Sequence, residues 1–301
     1  MTNHTAPRSQ TILLTGATGY IGSAVLDALL AAGYAVIAIT RSDTASAAVE
    51  AAGAIALHGD IRDVDWLTAQ LRAVDAAVHA AAPGDATAEA FDTAVIDAVV
   101  AAFGGTDKRF VHTSGIWIYG DGEHITETSP LLPPAVVAWR PALEQRLLDS
   151  GVAASVVVPG IVYGHDTGIS RVLSDAPLSD AGALRLVGSG EQHWPTVHVD
   201  DLAALYVLLV GSDRGHGRVL GVNEHPATVR ALSETVAEAR GARGVEAETA
   251  DASRTRLGAA FADALLLDQR ADAAMARALG WQPTRPSLLH ELARAERDEV
   301  A

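Results

Sequence analysis

Cysteine is absent from this chain of 301 residues, and lysine occurs only once, at Lys108. Without cysteine the chain can form neither disulfide bonds nor thiolate metal sites, and it has no thiol nucleophile. The formal net charge of -15 repels a phosphate backbone, and no basic segment offsets it. Nucleic acid is therefore not an expected partner.

Long apolar segments are missing as well. No run reaches membrane-spanning length, and the polar start, residues 1–10, lacks the apolar stretch of a secretory signal. We therefore expect a cytoplasmic protein without a membrane partner. No set of metal ligands at regular helical or hairpin spacing is found either, so the sequence predicts no metal site.

A glycine-rich turn between a strand and a helix is the most informative feature that is present. Thr15-Gly16-Ala17-Thr18-Gly19-Tyr20-Ile21-Gly22 follows an apolar run at 12–14 and passes directly into a helical pattern over 23–31. The first glycine permits a tight turn, the second lets a ligand approach the backbone, and the third lets helix and strand pack closely. Free N–H groups at the helix start suit a pyrophosphate. The motif predicts dinucleotide binding; the alternative is a tight turn that binds nothing.

Strands and helices then alternate along the first half of the chain. Apolar strands are predicted over 35–39, 54–57, 76–80, 110–113 and 155–158, and helices over 43–52, 63–73, 87–103 and 141–150. Continuously apolar strands separated by amphipathic helices indicate a parallel sheet covered on both faces. The predicted fold is α/β, a doubly wound Rossmann-type sheet that binds its ligands at the carboxyl ends of the strands.

The alternation loosens beyond Pro159. We predict a strand over 184–187, a helix over 200–210, a last strand over 218–222, and helices over 229–240, 254–266 and 270–279. Residues 10–165 with 199–223 are expected to form the dinucleotide-binding domain. Residues 166–198 with 224–301 are expected to form a smaller, mostly helical substrate-binding cap.

Further motifs follow the strands in turn. They are Gly59-Asp60, His79-Ala80-Ala81-Ala82, Thr113-Ser114-Gly115 with Tyr119-Gly120, Pro159-Gly160-Ile161-Val162-Tyr163-Gly164, Val197-His198-Val199-Asp200-Asp201-Leu202 and Leu279-Gly280-Trp281-Gln282-Pro283. With them the sequence resembles, over nearly its whole length, the extended short-chain dehydrogenase/reductase superfamily, also called the NAD-dependent epimerase/dehydratase family. The resemblance and the glycine turn together give an expected set of cofactor-binding residues. That set is Gly16, Thr18, Gly19, Tyr20, Ile21, Gly22, Arg41, Asp60, Ile61, Ala80, Ala81, Ala82, Arg140, Pro159 and Ile161.

The family's catalytic pair is absent. Its enzymes use a Tyr as acid/base and a Lys four residues later. Matching Glu144 to a family Glu puts Arg140 in the Lys position and Val136 in the Tyr position. None of the five tyrosines has a lysine four residues later. The chain therefore resembles an atypical branch that keeps the nucleotide site.

Two smaller departures accompany this one. The family's Ser or Thr after the fifth strand falls on Gly115 here, or on Ser114 with a shift of one residue. Pro141 has no N–H for a helix interior, so we expect it in the first turn with Arg140 before the helix.

The end of the second predicted strand bears on the choice of nucleotide. An acidic residue there would accept hydrogen bonds from the ribose and repel a 2′-phosphate. This chain has Thr40-Arg41-Ser42 instead, and a guanidinium beside two hydroxyls suits a 2′-phosphate. NADP(H) is therefore favoured over NAD(H). The alternatives are a solvated Arg41 or one that is paired with Asp43.

Proton delivery must then come from another group. Tyr163 and Tyr119 follow the sixth and fifth strands, and either could donate a proton if a cation such as Arg140 lowered its pKa. The alternative for each is a packed ring with a bonded hydroxyl. Ser114 has no visible His/Asp partners for a nucleophilic triad, and we expect it to bind the substrate oxygen.

A second group of candidates contains His193, His198, His165 and Asp166. His198 followed by Asp200 could be a histidine oriented by a carboxylate, suited to acid/base work near neutral pH. The alternative is a helix start with Asp200 as its N-cap.

These observations predict an NADP-dependent oxidoreductase that acts on a small carbonyl or alcohol substrate with noncanonical proton delivery. One alternative is an NAD(P)-dependent sugar-nucleotide epimerase or dehydratase. Another is an NADP-binding sensor or scaffold protein without turnover. The resemblance further implies a homodimer through helices around 87–103 and 136–150. The second of these helices is predicted here only over 141–150, so the dimer stays an open expectation.

Overall fold

The computed structural model describes residues 10–165, 167–223 and 226–299. The strands are β1 (Thr11–Thr15), β2 (Ala35–Thr40), β3 (Ile55–His58), β4 (Ala76–His79), β5 (Arg109–Thr113), β6 (Gly122–Ile125), β7 (Ala153–Pro159), β8 (Ile161–Tyr163), β9 (Leu184–Arg185), β10 (His193–Trp194), β11 (Thr196–His198), β12 (Gly217–Gly221), β13 (Ala227–Thr228), β14 (Val245–Glu246) and β15 (Gln269–Ala271). The helices are α1 (Tyr20–Ala31), α2 (Asp43–Ala51), α3 (Val64–Arg72), α4 (Ala88–Phe103), α5 (Arg140–Leu148), α6 (Arg171–Ser174), α7 (Val199–Val210), α8 (Val229–Ala239), α9 (Ala250–Leu257), α10 (Ala259–Leu265), α11 (Ala274–Ala278) and α12 (Leu288–Glu299). Two short 3-10 helices cover Ile116–Tyr119 and Ala135–Val137.

Seven strands form one sheet in the order β12-β7-β5-β4-β1-β2-β3. Strand β1 pairs in parallel with both β2 and β4, so Thr15 stands opposite Ile39 on one side and His79 on the other. Strand β4 pairs in parallel with β5, which sets His79 opposite His112. The carboxyl ends of these four strands meet at one edge, and the predicted doubly wound Rossmann-type fold is confirmed.

Burial explains why these segments form strands and helices. Every residue of β4 is buried, and in β1 only the first is partly exposed, as expected for strands covered on both faces. Helix α1 buries Val25, Leu26 and Leu29. Full burial of a large aliphatic side chain contributes about 1.5–3 kcal/mol. None of the described helices is both long and apolar enough to cross a bilayer.

The chain divides into two compact units. The first unit comprises the described residues of Met1–Thr113, Ala142–Val156 and Ala203–Gly217, and the second unit comprises those of Ser114–Pro141, Val157–Leu202 and Arg218–Ala301. In the second unit, β8 pairs in parallel with β11 and β10 pairs antiparallel with β13. Its core gathers apolar side chains that include Tyr163, Leu184, Trp194, Leu232 and Leu265.

Several predicted elements differ in detail from the observed ones. The helix predicted over 254–266 is two helices, α9 and α10, which break at Gly258, where φ is +85°. The helix predicted over 270–279 is the short helix α11 preceded by strand β15. Helix α5 begins at Arg140 itself, so the expectation that Arg140 precedes the helix is wrong. A proline at the second position is tolerated because the N–H it lacks has no acceptor within the first turn.

Candidate functional site

The glycine turn of the first unit leaves no room for side chains. Gly16 has φ of +80°, and a Cβ there would lie 2.6 Å from the backbone nitrogen of Ala81. A Cβ at Gly22 would lie 1.9 Å from the carbonyl oxygen of Gly16. The turn is closed by the N–H of Gly19, which donates to that same carbonyl at 2.8 Å. The glycines thus hold helix α1 tightly against the end of β1.

A cleft of about 440 Å³ opens beside this turn. It is lined by Thr15, Gly16, Thr18, Ile39, Thr40, Arg41, Ser42, Ala45, Ile61, Ala81, Ala82, Pro83 and Phe91. Six of the predicted cofactor residues are among them: Gly16, Thr18, Arg41, Ile61, Ala81 and Ala82. The lining contains four hydroxyl groups and one guanidinium but no carboxylate, so the cleft suits an anionic ligand.

The start of helix α1 fits the phosphates of a dinucleotide. Gly19 is the N-cap, no side chain caps the helix, and its first turn contains no acidic residue. The first N–H groups of such a helix have no acceptor within it, and they carry the positive end of the helix dipole. Tyr20 and Ile21 belong to this first turn, and Ala80 borders the space beside Gly16.

Arg41 stands at the cleft with its charge available. Among the described residues its guanidinium forms no ion pair, and Asp43 does not bind it. The neighbouring Ser42 hydroxyl accepts the N–H of Ala45 at 3.2 Å and thereby caps helix α2. The Thr40 hydroxyl lies 2.8 Å from that of Ser46. The local bonds therefore fix the two hydroxyl side chains and leave the guanidinium to an incoming ligand.

Asp60 is bound by a neighbouring arginine. The guanidinium of Arg62 donates to both carboxylate oxygens of Asp60, at 2.7–3.1 Å, and the backbone N–H of Arg62 donates at 3.0 Å. These hydrogen bonds lower the pKa of Asp60 to about 2. As a predicted cofactor residue, Asp60 is therefore an ionised carboxylate that Arg62 orients.

A buried polar network lies beside the cleft, and the sequence analysis did not anticipate it. Nδ1 of His79 lies 2.7 Å from the Thr15 hydroxyl, and Nε2 lies 3.1 Å from Asp92. His112 stacks on His79 with ring centroids 5.5 Å apart, and its Nε2 is 3.8 Å from Asp92. The ligand-type atoms of the three side chains lie within 4.8 Å of one another. Three separate elements contribute them, so no local spacing could reveal the group.

Two predicted catalytic residues, Ser114 and Tyr119, come after strand β5 and belong to the second unit. Ser114 is buried, and its N–H donates to the carbonyl of Val157 at 2.8 Å. Tyr119 ends the 3-10 helix Ile116–Tyr119, and its buried hydroxyl donates to the carbonyl of Glu127 at 3.4 Å. That bond is long for an O–H donor.

Tyr163 has a much firmer environment. Its hydroxyl donates to the carbonyl of Pro286 at 2.5 Å and accepts from Nδ2 of Asn223 at 2.9 Å. The side chain is fully buried, and this burial raises the pKa of Tyr163 above its usual range. The geometry favours the alternative of a packed ring with a bonded hydroxyl, while the predicted role as proton donor stays a prediction.

His198 is the centre of a polar cluster in the second unit. Its Nδ1 accepts the N–H of Asp200 at 3.1 Å, and Nε2 lies 3.6 Å from a carboxylate oxygen of Glu291. Since Nδ1 is an acceptor, the neutral ring carries its proton on Nε2, and burial lowers the pKa of His198. Helix α7 begins at Val199, so Asp200 is not its N-cap; the His198 ring caps the first turn instead.

The other members of that predicted group occupy different surroundings. His165 contacts His198 edge-on with ring centroids 5.9 Å apart, and its Nε2 lies 3.1 Å from Asp200. His193 binds Asp268 through Nδ1 at 2.9 Å. Asp166 lies outside the described residues.

The remaining predicted residues also belong to the second unit. The Arg140 guanidinium lies over the ring of Trp139, 4.8 Å from its centroid, a distance typical of cation–π contacts. Pro159 ends strand β7 and Ile161 begins strand β8. Both are buried, and the N–H of Ile161 donates to the carbonyl of Pro195 at 2.8 Å.

Comparison with known proteins agrees with this architecture. One relative, the 4-hydroxy-2-methyl-3-oxo-4-farnesyl-3,4-dihydroquinoline-1-oxide ketoreductase of Stigmatella aurantiaca, is 31% identical over 221 residues, which are 68% of this chain and 65% of that protein. The solved structure of DesIV, a dTDP-glucose 4,6-dehydratase from Streptomyces venezuelae, has a TM-score of 0.73 and 26% identity over 95% of this chain and 96% of its own. Human epimerase family protein SDR39U1, solved with NADPH, has a TM-score of 0.71 and 22% identity, covering 94% of this chain and 99% of its own.

A family model decides the assignment. The model for the NAD dependent epimerase/dehydratase family matches residues 12–222, a span that contains the glycine turn, the strands of the large sheet and the motifs after them. Although it lacks the family's Tyr-x-x-x-Lys pair, the chain therefore belongs to the NAD dependent epimerase/dehydratase family.

Proposed function

We propose that this protein is an NADPH-dependent oxidoreductase acting on a small carbonyl or alcohol. The cleft beside the glycine turn carries the proposal. An uncapped helix start lies at this turn, and the cleft is lined by the guanidinium of Arg41, which forms no ion pair among the described residues. No carboxylate lines the cleft. The helix start would hold the pyrophosphate, and Arg41 would hold the 2′-phosphate. A bound nicotinamide nucleotide supplies hydride chemistry.

The relatives support an oxidoreductase more broadly. One is named as a ketoreductase, and the human structure is described with NADPH while DesIV is described with NAD. Relatives of this fold thus use either nucleotide. The choice of NADP in this chain rests on Arg41 at the end of β2, where an acidic residue would disfavour a phosphate.

Among this chain's own residues we propose Tyr119 as the first candidate for proton delivery. The hydrogen bond from its hydroxyl to the carbonyl of Glu127 is long, at 3.4 Å, whereas the Tyr163 hydroxyl both donates and accepts at short range. We assign Tyr163 a structural role. Ser114 is proposed to bind the substrate oxygen, and Arg140 to stabilise developing negative charge. His198 is the second candidate for proton transfer.

Titration of the protein with NADPH and with NADH, followed by fluorescence, tests the choice of cofactor. We expect tighter binding of NADPH and expect Arg41→Gln to weaken NADPH binding about tenfold or more, because a charge-assisted hydrogen bond is lost. NADH binding should stay the same in that variant. Arg214→Gln, an exposed arginine of the same unit, is the control. Equal affinities of the unaltered protein for the two nucleotides would refute the preference.

Turnover separates the proposed oxidoreductase from a sensor without activity. A panel of small carbonyl compounds is followed by the absorbance of NADPH. We expect Tyr119→Phe and Ser114→Ala to lower kcat at least about 100-fold, the usual scale of general acid–base catalysis. Activity that remains in Tyr119→Phe would indicate that His198 or water delivers the proton. NADPH binding without turnover on any substrate would instead favour the sensor.

A further inference from the structure

A second cavity, also of about 440 Å³, lies within the second unit. It is formed by the end of strand β12, helix α11, the loop after α11 and the start of helix α12, and we call it the α12 cavity. Its polar lining consists of Asn223, Arg277, Gln282, Arg285 and Ser287, and no carboxylate lines it. Its volume is that of a site for a small molecule.

Two guanidiniums supply the positive charge of the α12 cavity. Arg277 binds Asp272 at 2.5 Å, and Arg285 binds Asp200 at 2.8 Å. Neither carboxylate belongs to the lining, so each binds its arginine from outside the cavity. Both arginines line the cavity, and each is oriented by a carboxylate outside the lining. A guanidinium is a planar fork of N–H donors that suits a phosphate.

The start of helix α12 adds a further positive element. Ser287 lines the cavity, and its hydroxyl accepts the N–H of His290 at 3.3 Å. Its carbonyl accepts the N–H of Glu291 at 2.9 Å. Ser287 is thus the N-cap, which places the positive end of the helix dipole at the wall of the cavity.

Asn223 offers a hydrogen-bond acceptor to any molecule that enters the α12 cavity. The carbonyl of Pro286 can only accept, so the Tyr163 hydroxyl must donate to it and must accept from Nδ2 of Asn223. This chain of bonds fixes the orientation of the amide. Oδ1 of Asn223 is then a buried acceptor without a partner among the described residues, in a side chain only 8% exposed. Leaving such a group unsatisfied is costly.

We propose that the α12 cavity binds a phosphorylated small molecule with hydroxyl groups, of the sugar phosphate class. The two guanidiniums and the helix start would bind the phosphate, and a ligand hydroxyl would donate to Asn223. Inorganic phosphate shares the first part of this chemistry and lacks the second. Its lining shares no residue with the lining of the nucleotide cleft.

Calorimetric titration with ribose 5-phosphate and with inorganic phosphate tests the proposal on the full chain saturated with NADPH, so that the first unit's cleft is occupied. We expect ribose 5-phosphate to bind, and inorganic phosphate to bind at least about tenfold more weakly. Arg285→Gln should weaken ribose 5-phosphate binding at least about tenfold. Arg171→Gln, which removes an exposed arginine paired with Asp175 elsewhere in the unit, should leave it unchanged.

Charge variants at the exposed Gln282 keep the test decisive if the arginine variant fails to fold. Gln282→Glu should weaken binding of ribose 5-phosphate several-fold, and Gln282→Lys should strengthen it, since the two variants add opposite charges to one wall. Absence of binding, or equal affinity in both variants, would overturn the proposal. Equal affinities for ribose 5-phosphate and inorganic phosphate would refute the role of Asn223. NADPH affinity, measured in the same variants, reports on the nucleotide cleft and should stay unchanged.

Discussion

Nε2 of His79 lies 3.1 Å from a carboxylate oxygen of Asp92, and the two residues are 1% and 3% exposed. The same imidazole contacts the Thr15 hydroxyl through Nδ1, and Thr15 lines the nucleotide cleft. The backbone carbonyl of His79 accepts the Thr113 hydroxyl at 2.6 Å. The side chain and the carbonyl of this one residue thus tie the ends of three strands to helix α4 beside the cleft.

Loss of the Asp92 carboxylate should therefore destabilise the first unit strongly. Removing one partner of a buried hydrogen-bonded pair leaves the other unsatisfied in an apolar interior, and we expect Asp92→Ala to lower the free energy of unfolding by about 3 kcal/mol. Urea unfolding measures it. The matched control is Asp97→Ala on the same helix, whose partner Arg146 is half exposed, with an expected loss below about 1 kcal/mol. Similar losses in both variants would contradict the importance of burial.

The close approach of Gly22 to the glycine turn leads to a second prediction. A methyl group there would lie 1.9 Å from the carbonyl oxygen of Gly16, so the turn must shift away from helix α1. We expect Gly22→Ala to weaken NADPH binding at least about tenfold and to lower stability by about 1–3 kcal/mol.

Ser23→Ala is the control for that variant, because it changes the next helical residue at an exposed position. It should bind NADPH like the unaltered protein in the same fluorescence titration. If Gly22→Ala also binds NADPH with unchanged affinity, the turn is not part of the nucleotide site.

The large sheet and the glycine turn could be predicted from the sequence for a physical reason. Strands such as β1 and β4 are apolar throughout, because both faces of the sheet are covered, and the turn needs glycine at fixed spacing because Cβ atoms would overlap the backbone. Both signals are local in the chain. The periodicity therefore located β1 to β5 and β7 to within two residues, whereas the short strand β6 was not predicted.

The polar networks could not be predicted in the same way. Tyr163 meets Pro286 across 123 positions of sequence, and the Thr15–His79–Asp92 chain joins two strands and a helix. Nothing in the spacing of single residues reports such contacts. The helix start at Val199 was misassigned by one residue for a related reason, since a histidine ring caps it in place of the expected Asp200.

The cap that His198 provides makes stability depend on pH. Nδ1 must stay unprotonated to accept the N–H of Asp200, and burial lowers the pKa of His198 below the ordinary histidine value of about 6.5. The unfolded chain then binds the extra proton more readily than the folded chain. The free energy of unfolding should therefore fall as pH drops below about 6.5, until pH passes the folded pKa. The titratable and charged groups that surround His198 are His165, Asp200, Asp201, Arg285 and Glu291.

His198→Asn tests this dependence, because the Asn side-chain oxygen can still cap the helix but does not titrate. Urea unfolding between pH 5 and pH 8 should show a smaller loss of stability on acidification in the variant than in the unaltered protein. His124→Asn, at an exposed position, controls for the removal of a histidine. Parallel pH profiles for the unaltered protein and His198→Asn would refute the linkage.

Asp201 anchors the segment that precedes helix α12. Its carboxylate accepts the N–H groups of Thr284 and Arg285, each at 2.9 Å, and its carbonyl accepts Nε1 of Trp281 at 2.7 Å. The side chain is buried, so no water can replace it without rearrangement. Asp201→Ala leaves two backbone donors unsatisfied, and we expect a loss of about 2–4 kcal/mol in the free energy of unfolding.

Hydrogen exchange distinguishes this anchor from a general loss of stability. The amides of Thr284 and Arg285 should exchange much faster in Asp201→Ala, while those of strand β1 in the first unit keep their protection. Asp180→Ala, at an exposed position of the same unit, should change neither. Uniform acceleration across the chain would mean that the carboxylate supports the whole fold, whereas unchanged exchange at both amides would mean that it does not hold the segment. Because Arg285 lines the α12 cavity, faster exchange confined to Thr284 and Arg285 also predicts weaker binding of ribose 5-phosphate in Asp201→Ala.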